Sequence, residues 1–120
     1  MKSILIIDDQ VLYLKSLEFA LKKQFNVLTA QSYNEALERL KEKVDIALID
    51  IRLDENDKSN MDGLKILEWI KMNRPNISSF VMSAYEEFRY AEQALNLGSN
   101  HFFKKPIDVI SLIAIIEEKA

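Results

Sequence analysis

Short apolar runs alternate with stretches in which apolar residues recur every three or four positions, and this alternation constrains the fold more than any other feature. Residues 2–7 are expected to form a buried strand, and Val11, Leu14, Leu17 and Leu21 then follow at helical spacing with Lys and Glu between them. Residues 25–30 form a second strand. Ser32 and Glu35 after it have the form of a capping box opening a helix whose apolar side carries Leu37 and Leu40. Residues 44–49 are the most uniformly apolar strand and end abruptly at Asp50. Beyond a polar loop, Leu64, Leu67 and Ile70 trace a helix from Gly63 that stops before Pro75, because proline disfavours helical geometry in the residue preceding it. Residues 77–82 are the fourth strand. Phe88, Ala91 and Leu95 mark a fourth helix closed by Gly98, residues 101–104 a short fifth strand, and Val109, Leu112, Ile113 and Ile116 a last helix capped by Asp108. Five strands alternating with five helices imply a doubly wound α/β fold, a parallel sheet covered by helices on both faces.

Composition narrows the chemistry. The 120 residues suit one domain, expected to span 1–120, and 48% hydrophobic with 29% charged residues is the balance of a folded globular chain. A net charge of -3 and a pI near 5.2 leave no basic field for nucleic acid, so no direct nucleic-acid contact is expected. The lack of cysteine removes thiolate chemistry and sulfur-built zinc sites and fits a cytoplasmic location. The apolar stretches at 4–7 and 109–116 are too short to span a bilayer, so no membrane partner is expected.

The polar residues that end the strands carry the specific signal. Strand one ends in Asp8-Asp9, strand three in Asp50, strand four in Ser83 and strand five in Lys104-Lys105-Pro106. In a doubly wound sheet these ends share one edge, so residues distant in sequence meet in a crevice at the switch point of the winding. Three carboxylates gathered there need cations to remain ionised, and a hard divalent ion together with a lysine would serve. Magnesium suits such a site, since it takes oxygen ligands and leaves room for a phosphoryl oxygen. Phosphoryl transfer needs mainly positioning and charge neutralisation, which makes Asp50 the candidate nucleophile for an acyl phosphate.

Ile6-Ile7-Asp8-Asp9, residues 48–53 around Asp50, Met61-Asp62-Gly63, Met82-Ser83-Ala84-Tyr85 and Lys105-Pro106 together resemble the receiver domains of two-component response regulators. The likeness covers essentially the whole chain. It implies a flavodoxin-like sheet in the order 2-1-3-4-5, as in chemotaxis regulators. It implies Asp50 as phosphoacceptor, Asp9 binding Mg2+ directly, Asp8 mainly through water, and the Arg52 carbonyl as a further ligand. Ser83 would hydrogen-bond one phosphoryl oxygen and Lys105 pair with another. The family's lysine precedes a proline that is normally cis, which selects Lys105 over Lys104. Phe102 matches an aromatic switch position coupled to Ser83, although a ring there serves equally as core. Arg52 and Tyr85 match positions that modulate hydrolysis of the phosphoryl group. The implied partners are a histidine kinase or phosphotransfer protein, a C-terminal output domain, and a second copy in a phosphorylation-dependent homodimer. Residues 85–91 are similar to those of receivers followed by AraC-type DNA-binding domains.

Taken singly these residues have plainer explanations: Asp8-Asp9 as a helix cap, Ser83 as a turn hydroxyl, Lys105 as a solvated lysine. Their coincidence at four strand ends favours the site. An aspartate-based phosphatase of the haloacid dehalogenase type would need a second Asp two positions on, where Gln10 follows Asp8 and Val11 follows Asp9. A flavin module would need a hydroxyl- and glycine-rich phosphate cradle in the first turn, which is missing. A receiver that only binds partners is disfavoured by the intact acidic set. His101, the single histidine, is expected at the surface, and Trp69 is expected to pack or be partly exposed. The loop at 53–62 is longer than the family's usual one, lacks its proline after Leu53, and is expected to be a polar surface insertion.

Overall fold

In the computed structural model, residues 1–54, 56–57, 59–84 and 91–120 are described. The first strand, β1 (Ser3–Ile7), is buried along its whole length, as a strand apolar on both faces must be when helices cover both sides. The chain continues through α1 (Val11–Leu21), β2 (Asn26–Ala30), α2 (Tyr33–Arg39), β3 (Ile46–Asp50) and α3 (Asp62–Asn73). It ends through β4 (Ser78–Ser83), α4 (described over Ala91–Asn96), β5 (His101–Lys104) and α5 (Val109–Lys119). All pairings are parallel, and the strand order is β2-β1-β3-β4-β5.

Alternation along each strand sorts the core into two layers. Ile4, Ile6, Ile46, Leu48, Phe80, Met82 and Phe103 face Leu14, Leu17 and Leu21 of α1 and Leu112 and Ile116 of α5. On the opposite face Leu5, Ile7, Ala47, Ile49 and Val81 meet Ala36 of α2, the Leu64–Leu67–Ile70 stripe of α3 and Ala94 of α4. The Ser32 hydroxyl accepts from the Glu35 N–H at 3.2 Å and the Asp108 carboxylate accepts from the Ser111 N–H at 3.4 Å, so both expected caps form. Gly98 closes α4 with φ +95, and its N–H donates to the Leu95 carbonyl.

Three expected positions differ. Leu95 is 50% exposed, because the phase of α4 turns Ala94 to the sheet instead. Val11, the first residue of α1, stands above the sheet's end and is 39% exposed. His101 is half-buried rather than superficial, its ring centroid 4.7 Å from that of Phe103 and the two planes tilted by 55°. Trp69 is half-buried against the α3 side of the core, as packing required. Phe88, expected to open the fourth helix, and Tyr85 lie outside the described residues.

Candidate functional site

The crevice opens where the winding reverses, between the carboxyl ends of β1 and β3. Parallel pairing of Ile7 with Ile49 brings the segment after Ile7 beside Asp50. Asp8, Asp9 and Asp50 can each offer one carboxylate oxygen within 4.8 Å of the others. Asp8 is fully buried and Asp50 only 4% exposed. Asp8 does not cap α1. That place belongs to Gln10, whose N–H donates to Asp8 Oδ1 at 2.8 Å and so fixes the carboxylate at the strand end.

Lys105 enters from the far side of the sheet. Its backbone N–H donates to the Ser83 carbonyl at 2.8 Å, which carries the β4–β5 pairing one residue further. Its Nζ donates to Asp8 Oδ2 at 2.9 Å and to Asp50 Oδ2 at 3.3 Å. Burial alone would lower the lysine pKa, but the carboxylates of Asp50 and Asp8 outweigh it and hold the ammonium above its usual value. Lys105 is therefore a fixed cation at neutral pH. The Lys105-Pro106 peptide bond is cis. Lys104 is exposed and takes no part in these contacts.

A cavity of about 260 Å³ is lined by Asp9, Gln10, Tyr13, Asp50, Arg52, Ala84, Lys105 and Pro106. Arg52 thus reaches the site. Ser83 is buried at the end of β4, and its hydroxyl donates to the Ala84 carbonyl at 3.2 Å. Phe102 is half-buried on the α4 side of the sheet, packed against the core there. Tyr85 lies outside the described residues.

The donor set suits a hard cation. It consists of carboxylate oxygens within 4.8 Å of one another with no nitrogen or sulfur ligand, the hard oxygen donors that Mg2+ takes directly or through its waters. The long loop offers no second such group among the described residues. Its side chains turn inward on their own backbone: Asp54 Oδ1 accepts from the Asn56 N–H, Asp57 Oδ1 from the Ser59 N–H and hydroxyl, and Asn60 Oδ1 from the N–H groups of Leu53 and Asp62. Leu53 beneath them is buried. Glu55 and Lys58 lie outside the described residues.

Gly63 is indispensable where α3 begins. Its N–H donates to the Ile51 carbonyl at 2.8 Å, and a Cβ there would stand 2.0 Å from the Asp50 carbonyl oxygen and 2.6 Å from Ile51 Cα. The backbone carrying Asp50 is thus pressed directly against the first turn of α3.

Sequence reasoning missed Tyr13 and Gln10. Gln10 Oε1 accepts from Lys105 Nζ at 3.4 Å. The Tyr13 hydroxyl accepts from the Ile107 N–H at 3.0 Å, and its ring centroid lies 4.8 Å from Lys105 Nζ. Burial, partly offset by the Ile107 hydrogen bond and Lys105, raises the Tyr13 pKa and keeps the phenol neutral. The available signal was an aromatic residue in the first turn of α1, one position off the Leu14–Leu17–Leu21 stripe.

Comparison with known proteins points one way. The family described as "Response regulator receiver domain" matches residues 4–117. The transcriptional regulatory protein ZraR of Escherichia coli O157:H7 is 35% identical over 117 residues, covering 96% of this chain and 25% of that protein. The chain spans about a quarter of the length of the curated relatives it matches first. A CheY-like receiver domain protein from Methanospirillum hungatei superposes with TM-score 0.87 at 28% identity, covering 99% of this chain and 93% of the other. A response regulator protein from Burkholderia pseudomallei, crystallised with a phosphorylated aspartic acid, a calcium ion and citrate, superposes at 0.82 with 27% identity, covering 96% of this chain and 66% of that one. Among the described residues no helix is long and apolar enough to cross a membrane.

Proposed function

This chain belongs to the response regulator receiver domain family, and from that premise we propose that it is the phosphoacceptor switch of a two-component pathway, with Asp50 taking the phosphoryl group. The observation that carries the assignment is the Lys105 ammonium bridging Asp8 and Asp50 beside a cavity that Asp9 and Asp50 also line. The receiver spans residues 1–120 and acts in the cytoplasm.

A histidine kinase or phosphotransfer protein presents a phosphohistidine at the cavity. An oxygen of the Asp50 carboxylate attacks phosphorus, the new O–P bond forms as the P–N bond breaks, and the imidazole leaves with the electron pair. Lys105, already cationic, passes from Asp50 Oδ2 to a phosphoryl oxygen. The Ser83 hydroxyl exchanges the Ala84 carbonyl for another. Asp9 and Asp50 directly, Asp8 chiefly through water and the Arg52 carbonyl would hold Mg2+, which when bound supplies charge neutralisation at the transferred oxygens. Arg52 and Tyr85 flank the phosphoryl group and set how readily water removes it.

Movement of Ser83 toward the phosphoryl group draws in the segment after β4 and lets Phe102 turn inward. The resulting shift changes the surface formed by α4, β5 and α5, to an extent set by the difference in phosphoryl stabilisation between the two states. That surface controls an output domain or pairs with a second copy, and the name of the Escherichia coli relative makes transcription regulation the natural output. The low pI leaves DNA contact to the output domain.

The test is labelling by a small acyl phosphate with Mg2+, followed by intact mass. The wild type is expected to gain one phosphoryl group and Asp50→Asn none. Undiminished labelling of Asp50→Asn, or steady turnover of phosphate esters, would overturn the assignment.

A further inference from the structure

We propose that Tyr13 is a positioning residue for Lys105, holding the ammonium where a phosphoryl oxygen will need it; the inference rests on the phosphoacceptor reading of Asp50. Lys105 belongs to a loop anchored at both ends. On the strand side its own N–H is held by the Ser83 carbonyl, and on the helix side the Ile107 N–H is held by the Tyr13 hydroxyl at 3.0 Å. Between the two anchored N–H groups lies Pro106, which has none to contribute. Tyr13 therefore ties the backbone of this loop to α1, the same helix whose first turn is fastened to Asp8 through Gln10.

The ring acts on the side chain as the hydroxyl acts on the backbone. Lys105 Nζ lies 4.8 Å from the Tyr13 centroid, within the range of cation–π attraction, while donating to Asp8 and Asp50. Only 11% of the lysine side chain is exposed, and the Tyr13 ring is among the groups that confine a four-carbon stem otherwise free to swing. When Asp50 Oδ2 becomes part of an acyl phosphate, the ammonium keeps Asp8 and the ring as supports and needs to move only to the adjacent oxygen.

Labelling rates at saturating acetyl phosphate and saturating Mg2+ are compared in wild type, Tyr13→Phe, Tyr13→Leu, Lys105→Met and the two double variants. Tyr13→Phe, which keeps the ring and loses the acceptor, is expected to slow labelling about threefold, and Tyr13→Leu about tenfold. In the Lys105→Met background neither is expected to change the residual rate by more than about twofold, because the positioned group is gone. Mg2+ affinity is expected to be the same in each Tyr13 variant as in its own parent, wild type or Lys105→Met. Equal factors with and without Lys105 would overturn the inference and leave Tyr13 a packing residue. Should Tyr13→Leu fail to fold, the Tyr13→Phe cycle decides alone, on the same criterion. If the wild type takes no label, the phosphoacceptor reading falls, and this inference with it; a labelled wild type with uncoupled Tyr13 variants removes this inference only.

Discussion

Single residues here owe their roles to what the backbone lets them approach. Gly63 is the clearest case: it packs its Cα against the carbonyl of Asp50, where a methyl group would need to occupy the same space as an oxygen. Gly63→Ala is therefore expected to push β3 away from α3, destabilising the fold by about 2 kcal/mol or more and slowing phosphoryl acceptance together with it. Urea melts and acyl phosphate labelling of the same preparation check both halves, and an unchanged midpoint would contradict the close approach. Asp8, Asp9 and Asp50 were legible in sequence because strand ends in a wound sheet share one edge, whereas the choice of Lys105 over Lys104 came from the family resemblance. Tyr13 was not, since a hydroxyl reaching the backbone of a loop 94 residues away leaves no local pattern. The Ser83 hydroxyl's bond to the Ala84 carbonyl was equally hidden, because spacing places a residue at a strand end without fixing where its hydroxyl turns.

At the scale of elements, hydrophobic period located every strand and helix among the described residues, while boundaries and phase were less legible. β1 begins at Ser3 and β3 runs on through Asp50, each a small shift that pairing with neighbouring strands decides. α4 turned Ala94 inward where Leu95 was expected, since two adjacent apolar residues leave the phase of a helix stripe open to either. The first residue of β5 is the one histidine. Burial, then Lys119, lower the His101 pKa against the opposing pull of Glu118. A depressed folded pKa means that the unfolded chain binds the proton more readily. Its contribution to stability is thus present above about 6.5 and is lost as pH falls through the lower folded value. Wild type is expected to lose stability between about pH 7.5 and about pH 5.5, and His101→Gln to lose less over that interval. Urea melts at the two pH values check this, and parallel losses would contradict it.

For the whole molecule, the topology matters more than any contact, because the reversal of winding between β1 and β3 opens the crevice and four of the five strand ends supply it. The alternation of elements made the sheet legible, and the family resemblance supplied the 2-1-3-4-5 order that alternation alone leaves open. Neither could foretell the self-bonded turns of the long loop, which depend on which Asx side chain meets which N–H. The central claim is that residues from four strand ends act as one phosphoryl-accepting pocket. A crystal structure grown with Mg2+ and beryllofluoride tests it most directly. Beryllofluoride is expected on the Asp50 carboxylate, the cation against Asp9 and Asp50, and Lys105 Nζ and Ser83 Oγ on the fluorine atoms. Beryllofluoride on any other side chain, or Lys105 still bridging Asp8 and Asp50 with the cation bound elsewhere, would contradict it.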